Sequence, residues 1–265
     1  MPLKVKIKVF SVIAIYLVGW ILIQHLIGVV AGLVYICVGI YFLYKIYPKF
    51  DLSPDIQFNK NKKIISLTFD DGPTKGFTED ILKILKEKNI SASFFVLGSK
   101  AQSNIDIIKK AILQNCEIGC HTTSHKKLHN SSCSEIAIEL TPVMQFIEKT
   151  YSELNRSKEF RRIFRSPHGF KNIALKKYLK SNSIKLIPWT RGVWDTNAPG
   201  CTWIVEKATF KPRINEIILL HDGLGLSKVS KEQKNGVLEA LPKIIDFYKA
   251  NGYTFVKVSE FIKRD

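Results

Sequence analysis

The chain has 265 residues, 24% of them charged, and a formal net charge of +17. That length suits one full-sized domain with a real core and not several, and no internal repeat or low-complexity tract points to a solenoid or a disordered chain. The positive excess is lysine spread along the sequence without interleaved aromatics. This argues against nucleic acid as a partner and fits either solvated faces or attraction to anionic lipid or a phosphate-bearing substrate.

In chain order the first feature is apolar. Between Lys8 and Lys45 no residue is charged apart from a protonatable His25. As one helix this stretch would run about 54 Å, against about 30 Å of bilayer hydrocarbon. Two short transmembrane helices are therefore expected within residues 1–50, turning near Gln24 and His25. Lys4, Lys6 and Lys8 precede the first leg, Lys45 and Lys49 follow the second, and the turn carries no Lys or Arg. The positive-inside rule then puts both ends, and the domain that follows, on the cytoplasmic side. No small-residue cleavage site separates the two stretches, which disfavours a signal peptide. The cysteines Cys37, Cys116, Cys120, Cys133 and Cys201 lack metal-site spacing. Cys37 sits in the apolar stretch; the other four could make two disulfides in an oxidising compartment, but irregularly placed in a large domain they read more easily as free thiols in a reducing one.

Residues 51–61 form a polar linker containing Pro54. From 62 to 265 short apolar runs alternate with helical patterns. Strands are expected over 64–69, 93–97, 117–121, 162–165, 185–189, 217–220 and 253–256. Helices are expected over 78–88, 103–115, 134–150, 173–181, 202–207 and 231–251. The last helix has the clearest period, with Val237, Leu238, Leu241, Ile244, Ile245 and Tyr248 on one face. Such alternation implies an α/β fold with a parallel sheet, and about seven units suggest a barrel, closed or incomplete, with catalytic groups at the C-terminal ends of its strands.

The notable polar residues fall at those ends. Asp70 and Asp71 follow the first strand, in Thr68-Phe69-Asp70-Asp71-Gly72-Pro73. Adjacent carboxylates there point in different directions, so one can bind a cation while the other handles protons. A plain Asp-Gly turn is the bland alternative. His121 and His125, four apart, share a face if the segment turns helically. With one carboxylate they make a three-ligand site that leaves positions open for water and substrate. His129 lies farther from that end and reads as a surface histidine. Arg165 is placed to fork onto Asp70 and fix its orientation, and the turn Pro167-His168-Gly169 can offer a backbone N–H to an oxyanion. His221, ending an apolar strand with Asp195 nearby, is a ready general acid.

In this order and spacing the residues resemble the polysaccharide deacetylase family, carbohydrate esterase family four, over about 62 to 262. The resemblance implies a distorted, incomplete (β/α) barrel, here preceded by the transmembrane hairpin, and a metal-dependent N-deacetylase. Asp70 would be the general base and Asp71, His121 and His125 the ligands of a divalent metal, zinc foremost, with cobalt, nickel or iron as alternatives. Arg165 would steady Asp70, His221 would be the general acid tuned by Asp195, and His168 would supply a backbone N–H. His168 stands where the family often has Tyr. The family's D-x-x-D-W motif keeps only Asp195, with Gly192 and Thr196 in place of its first Asp and its Trp.

Within the family the chain looks most similar to the branch acting on undecaprenyl-phosphate sugars, the N-acetylgalactosamine-phosphoundecaprenol deacetylases that serve lipid A modification. A lipid-linked amino sugar and the bacterial cytoplasmic membrane are then the expected partners. The alternatives are an extracytoplasmic peptidoglycan or polysaccharide deacetylase, a deformylase of a lipid-linked formamido sugar, and an inactive glycan-binding protein.

Overall fold

The structure is a computed structural model that describes residues 3–50, 56–58 and 61–262, with side chains described for 10–23, 25, 28–41, 56–58 and 61–262. Two compact units make up the chain, Met1–Leu52 and Ser53–Asp265. Most of the linker expected at 51–61 lies outside the described residues.

The first unit is a helical hairpin of α1 (Leu3–Ile27) and α2 (Val29–Phe50). The break falls at Gly28, not at Gln24 and His25. Gly28 has φ +86, a backbone conformation that costs glycine little and other residues more. The legs touch through Tyr16 and Tyr35, whose ring centroids are 5.1 Å apart. Phe10, Leu17, Ile21, Val30 and Val34 stand exposed on them. Among the described residues no helix is long and apolar enough to cross a membrane. The expectation of two transmembrane passes thus gains no support from the structure.

The second unit is a curled parallel sheet: β1 (Ile64–Asp70), β2 (Ser93–Val96), β3 (Glu117–Cys120), β4 (Ile163–Phe164), β5 (Lys185–Leu186), β6 (Arg191–Gly192), β7 (Asn215–His221) and β8 (Thr254–Phe255). Its order is β5-β4-β3-β2-β1-β7-β6, with β8 on β1. All pairings are parallel. β5 and β6 are the ends of that order, so the barrel stays open as expected. β6 was not anticipated. It is two residues long and is tied to β7 by Arg191, whose Nη2 lies 2.6 Å from Glu216 Oε1.

The helices α3 (Phe77–Glu87), α4 (Gly98–Ala101), α5 (Ile105–Leu113), α6 (Cys133–Glu153), α7 (Ile173–Ser181), α8 (Cys201–Thr209) and α9 (Lys231–Ala250) fall between the strands. Side-chain caps set several starts. Ser132 accepts from Glu135 N–H before α6, and Ser230 from Gln233 N–H before α9.

The period of two along the strands sorts side chains into two cores. Ile65, Leu67 and Phe69 of β1 and Ile218 and Leu220 of β7 pack outward among the helices. Phe95, Ile163, Ile187 and Ile217 join Val258 and Phe261 in a second cluster inside the barrel. The same alternation turns Thr68, Asp70, Arg165 and His221 inward above that plug. Register completes the placement, because Asp70 pairs with His221.

Candidate functional site

Asp70 ends β1 in extended conformation, and Asp71 follows at φ 73, so their carboxylates diverge. Asp70 Oδ1 accepts from Arg165 Nη1 at 2.8 Å, and the same nitrogen donates to Thr68 Oγ1 at 2.7 Å. The expected two-pronged fork is not formed. Arg165 Nε and Nη2 turn instead to the carbonyls of Ile187 and Pro188, at 3.3 and 3.2 Å. Its guanidinium sits 4.2 Å from the Phe95 ring centroid, on top of the barrel plug. Burial lowers its pKa and Asp70 pulls the other way; a guanidinium in a protein stays charged regardless.

Asp71, His121 and His125 converge, with donor atoms all within 4.8 Å of one another. Asp71 Oδ1 lies 3.3 Å from His121 Nε2 and 3.1 Å from His125 Nε2, while Oδ2 accepts Gly225 N–H at 2.8 Å. Burial raises the Asp71 pKa, but the two histidines, when protonated, outweigh it and hold the carboxyl well below the usual carboxylate range. His121 Nδ1 is 2.9 Å from the Arg165 carbonyl oxygen, which can only accept. The proton of a neutral ring is therefore on Nδ1, and Nε2 turns a lone pair toward Asp71 Oδ1. Oδ1 is buried and receives no hydrogen bond. The His121 lone pair and the orphaned carboxylate oxygen repel unless a cation lies between them, and His125 Nε2 reaches the same oxygen at 3.1 Å. The donor set thus fits a divalent metal with two nitrogens and one oxygen.

The histidine segment is not helical, contrary to expectation. Thr122 and His125 take positive φ values of 73 and 61. Glu139 of α6 holds the loop by accepting from the backbone N–H groups of Thr123 and Ser124, at 3.0 and 2.9 Å, and from Ser124 Oγ at 2.7 Å. Sequence reasoning missed Glu139, because a glutamate in an amphipathic helix looks like surface. It also missed Gly225. His129 is partly buried beside Phe170, with ring centroids 5.0 Å apart.

Asp195 and His221 form a tight pair, the ring Nδ1 at 2.9 Å from Oδ1 and the His221 backbone N–H donating to Oδ2 at 2.7 Å. Burial works against the charged imidazole, yet Asp195, with Asp70 and Asp71 behind it, pushes its pKa up to about 9. His168 sits at φ 55, and its exposed ring centroid is 4.7 Å from that of His125. All eight residues expected from the sequence thus gather at the C-terminal mouth of the barrel. The cysteines Cys37, Cys116, Cys120, Cys133 and Cys201 are free.

The sequence model described as polysaccharide deacetylase matches residues 58–187. A peptidoglycan-N-acetylglucosamine deacetylase of Bacillus cereus is 32% identical over 205 residues, covering 77% of this chain and 90% of that protein. The chain belongs to the polysaccharide deacetylase family. A chitooligosaccharide deacetylase of Sinorhizobium fredii is 27% identical, covering 71% of this chain and 87% of that protein. Among solved structures, the Xyl-CE4 domain of a multidomain xylanase from the hindgut metagenome of Trinervitermes trinervoides superposes with a TM-score of 0.65 at 30% identity. That match covers 76% of this chain and 90% of the domain. Polysaccharide deacetylases are metal-dependent in general, in keeping with the Asp71, His121 and His125 cluster. The comparisons favour a glycan deacetylase over the lipid-linked branch expected from the sequence.

Proposed function

We propose that the chain hydrolyses N-acetyl groups from the amino sugars of a glycan, either peptidoglycan or a chitin-type oligosaccharide. The observation that carries this reading is one barrel mouth holding an arginine-oriented carboxylate, a two-histidine, one-carboxylate cluster and a carboxylate-backed histidine. The relatives named for peptidoglycan N-acetylglucosamine and for chitooligosaccharide support the choice of substrate.

Asp71, His121 and His125 would hold the divalent cation, zinc first, with cobalt, nickel or iron also suited to the donors. When bound, it supplies Lewis acidity toward a carbonyl oxygen and lowers the pKa of water. Asp70, oriented by Arg165 and Thr68, takes the proton of the attacking water. The backbone N–H of His168 donates to the oxygen that gains charge in the transition state. His221, its Nδ1 fixed on Asp195, delivers a proton from Nε2 to the departing amine nitrogen, and acetate leaves with the free amino sugar behind it.

The test is mass spectrometry of chitooligosaccharides and of peptidoglycan fragments after incubation with the purified chain. Loss of an acetyl group that is absent with Asp70→Asn supports the reading. Intact glycans in both series, from protein with metal bound, contradict it.

A second reading is favoured by one observation, the lysine-flanked apolar hairpin with its exposed apolar faces. It holds that the hairpin lies at a membrane and that the substrate is an undecaprenyl-phosphate-linked N-acetylgalactosamine reached from the cytoplasmic side. A C-terminal reporter active only outside the cytoplasm separates the two, since a polymer substrate requires the domain to face outward.

A further inference from the structure

The turn that carries Asp70 and Asp71 is gripped from two sides. Beyond β2, Leu97 N–H donates to the Gly72 carbonyl at 3.0 Å, and Lys100 Nζ in α4 donates to the Asp71 carbonyl at 2.9 Å. Beyond β7, Asp222 N–H donates to the Asp70 carbonyl at 3.1 Å, and Gly225 N–H to Asp71 Oδ2 at 2.8 Å. The Asp222 side chain is buried against the turn. Its Oδ2 accepts from Thr78 Oγ1 at 2.7 Å, and that hydroxyl oxygen accepts Thr74 N–H at 2.8 Å. The fit leaves no slack. A Cβ on Gly72 would overlap the Asp222 carboxylate, and one on Gly223 would overlap the Asp71 carbonyl. The Lys100 ammonium is partly buried and interacts with the carboxylates of both Asp222 and Asp71.

None of this is needed to hold β1 in the sheet, because β1 is already paired along its length with β7. What the grip does fix is the peptide after the strand, where Asp71 leaves extended geometry. A rotation there would swing the carboxylate away from both imidazoles. We propose that Lys100 and Asp222 are positioning residues for the cation site. Lys100 from one side, and Asp222 with Thr78 from the other, lock the Asp71–Gly72 peptide so that Oδ1 meets His121 and His125 while Oδ2 stays on Gly225. Partners that orient a ligand in this way are worth about 10–100-fold in metal affinity.

This inference rests on Asp71, His121 and His125 being a cation site, and its test reads affinity directly. Zinc dissociation constants of the full chain are measured by competition with a chromophoric chelator for wild type, Lys100→Met, Asp222→Asn and Asp222→Ala, alongside melting curves of the metal-free proteins. Lys100→Met and Asp222→Ala are expected to bind zinc about tenfold or more weakly. Asp222→Asn recovers part of the loss, because its amide oxygen still accepts from Thr78. Lys100→Met keeps the metal-free melting temperature near wild type, and it decides the matter if Asp222→Ala does not fold. Zinc affinities of Lys100→Met and Asp222→Asn equal to wild type would overturn the positioning role and leave the cation site standing. A wild-type chain that takes up no divalent cation overturns the cation site, and the positioning role with it.

Discussion

His221 is held by Asp195 through both its ring and its backbone N–H, and this pairing sets the pH range in which the ring carries a proton. Burial opposes the charge, Asp195 favours it, and the result is a pKa raised from 6.5 to about 9. A pKa raised on folding means the protonated ring, with the stability it brings, is fully present below 6.5 and lost as pH rises through about 9. The alkaline limb of kcat/KM is therefore expected to follow His221. Asp195→Asn should move that limb to lower pH by about one unit or more, read from pH–rate profiles of the two proteins; an unmoved limb would remove Asp195 from this role. Arg165 invites a different measurement. It is fully buried and gives donors to Asp70, Thr68 and two carbonyls. Arg165→Met leaves Asp70 buried without its partner and should cost about 3–5 kcal/mol in denaturant unfolding. A loss below about 1 kcal/mol, the range of an exposed pair, would show that Asp70 does not depend on it.

The β3–α6 loop shows what an element adds to its residues. His121 and His125 converge through two left-handed residues and the anchoring of Thr123 and Ser124 on Glu139, without a helical turn. Glu139→Ala leaves two backbone N–H groups without their acceptor and should weaken zinc binding as well as lower stability by about 1–3 kcal/mol. Unchanged zinc affinity in that variant would make the anchor dispensable. Much of this arrangement was legible in the sequence, for physical reasons. Alternating apolar runs fixed the strands that end in Asp70 and His221, and the spacing of His121 and His125 marked them as a pair able to converge on Asp71. The rest depends on distant segments. β6 is too short to leave a pattern and exists because Glu216 draws in Arg191. The support from Glu139, Lys100, Asp222 and Gly225 comes from chain far from the ligands, so no local spacing announces it. The hairpin break at Gly28 was missed because the polar pair at Gln24 and His25 looked like the better turn.

For the whole molecule, residues Ser53–Asp265 form a compact unit with its own core. Removing residues 1–50 should therefore leave kcat/KM on a soluble chitooligosaccharide within about twofold of the full chain. A larger fall would give the hairpin a part in catalysis. The open barrel brings three kinds of group to one mouth, which the proposed function reads as a base, a set of cation ligands and an acid. Metal-dependent deacetylation needs all three together. The most direct measurement is acetate release from a chitooligosaccharide or peptidoglycan fragment by the metal-loaded chain, before and after chelation and re-addition of zinc. Release that stops with the chelator, returns with zinc and is absent in Asp70→Asn is the expected result. Release that continues in the metal-free chain, or none from any glycan with zinc bound, would contradict it.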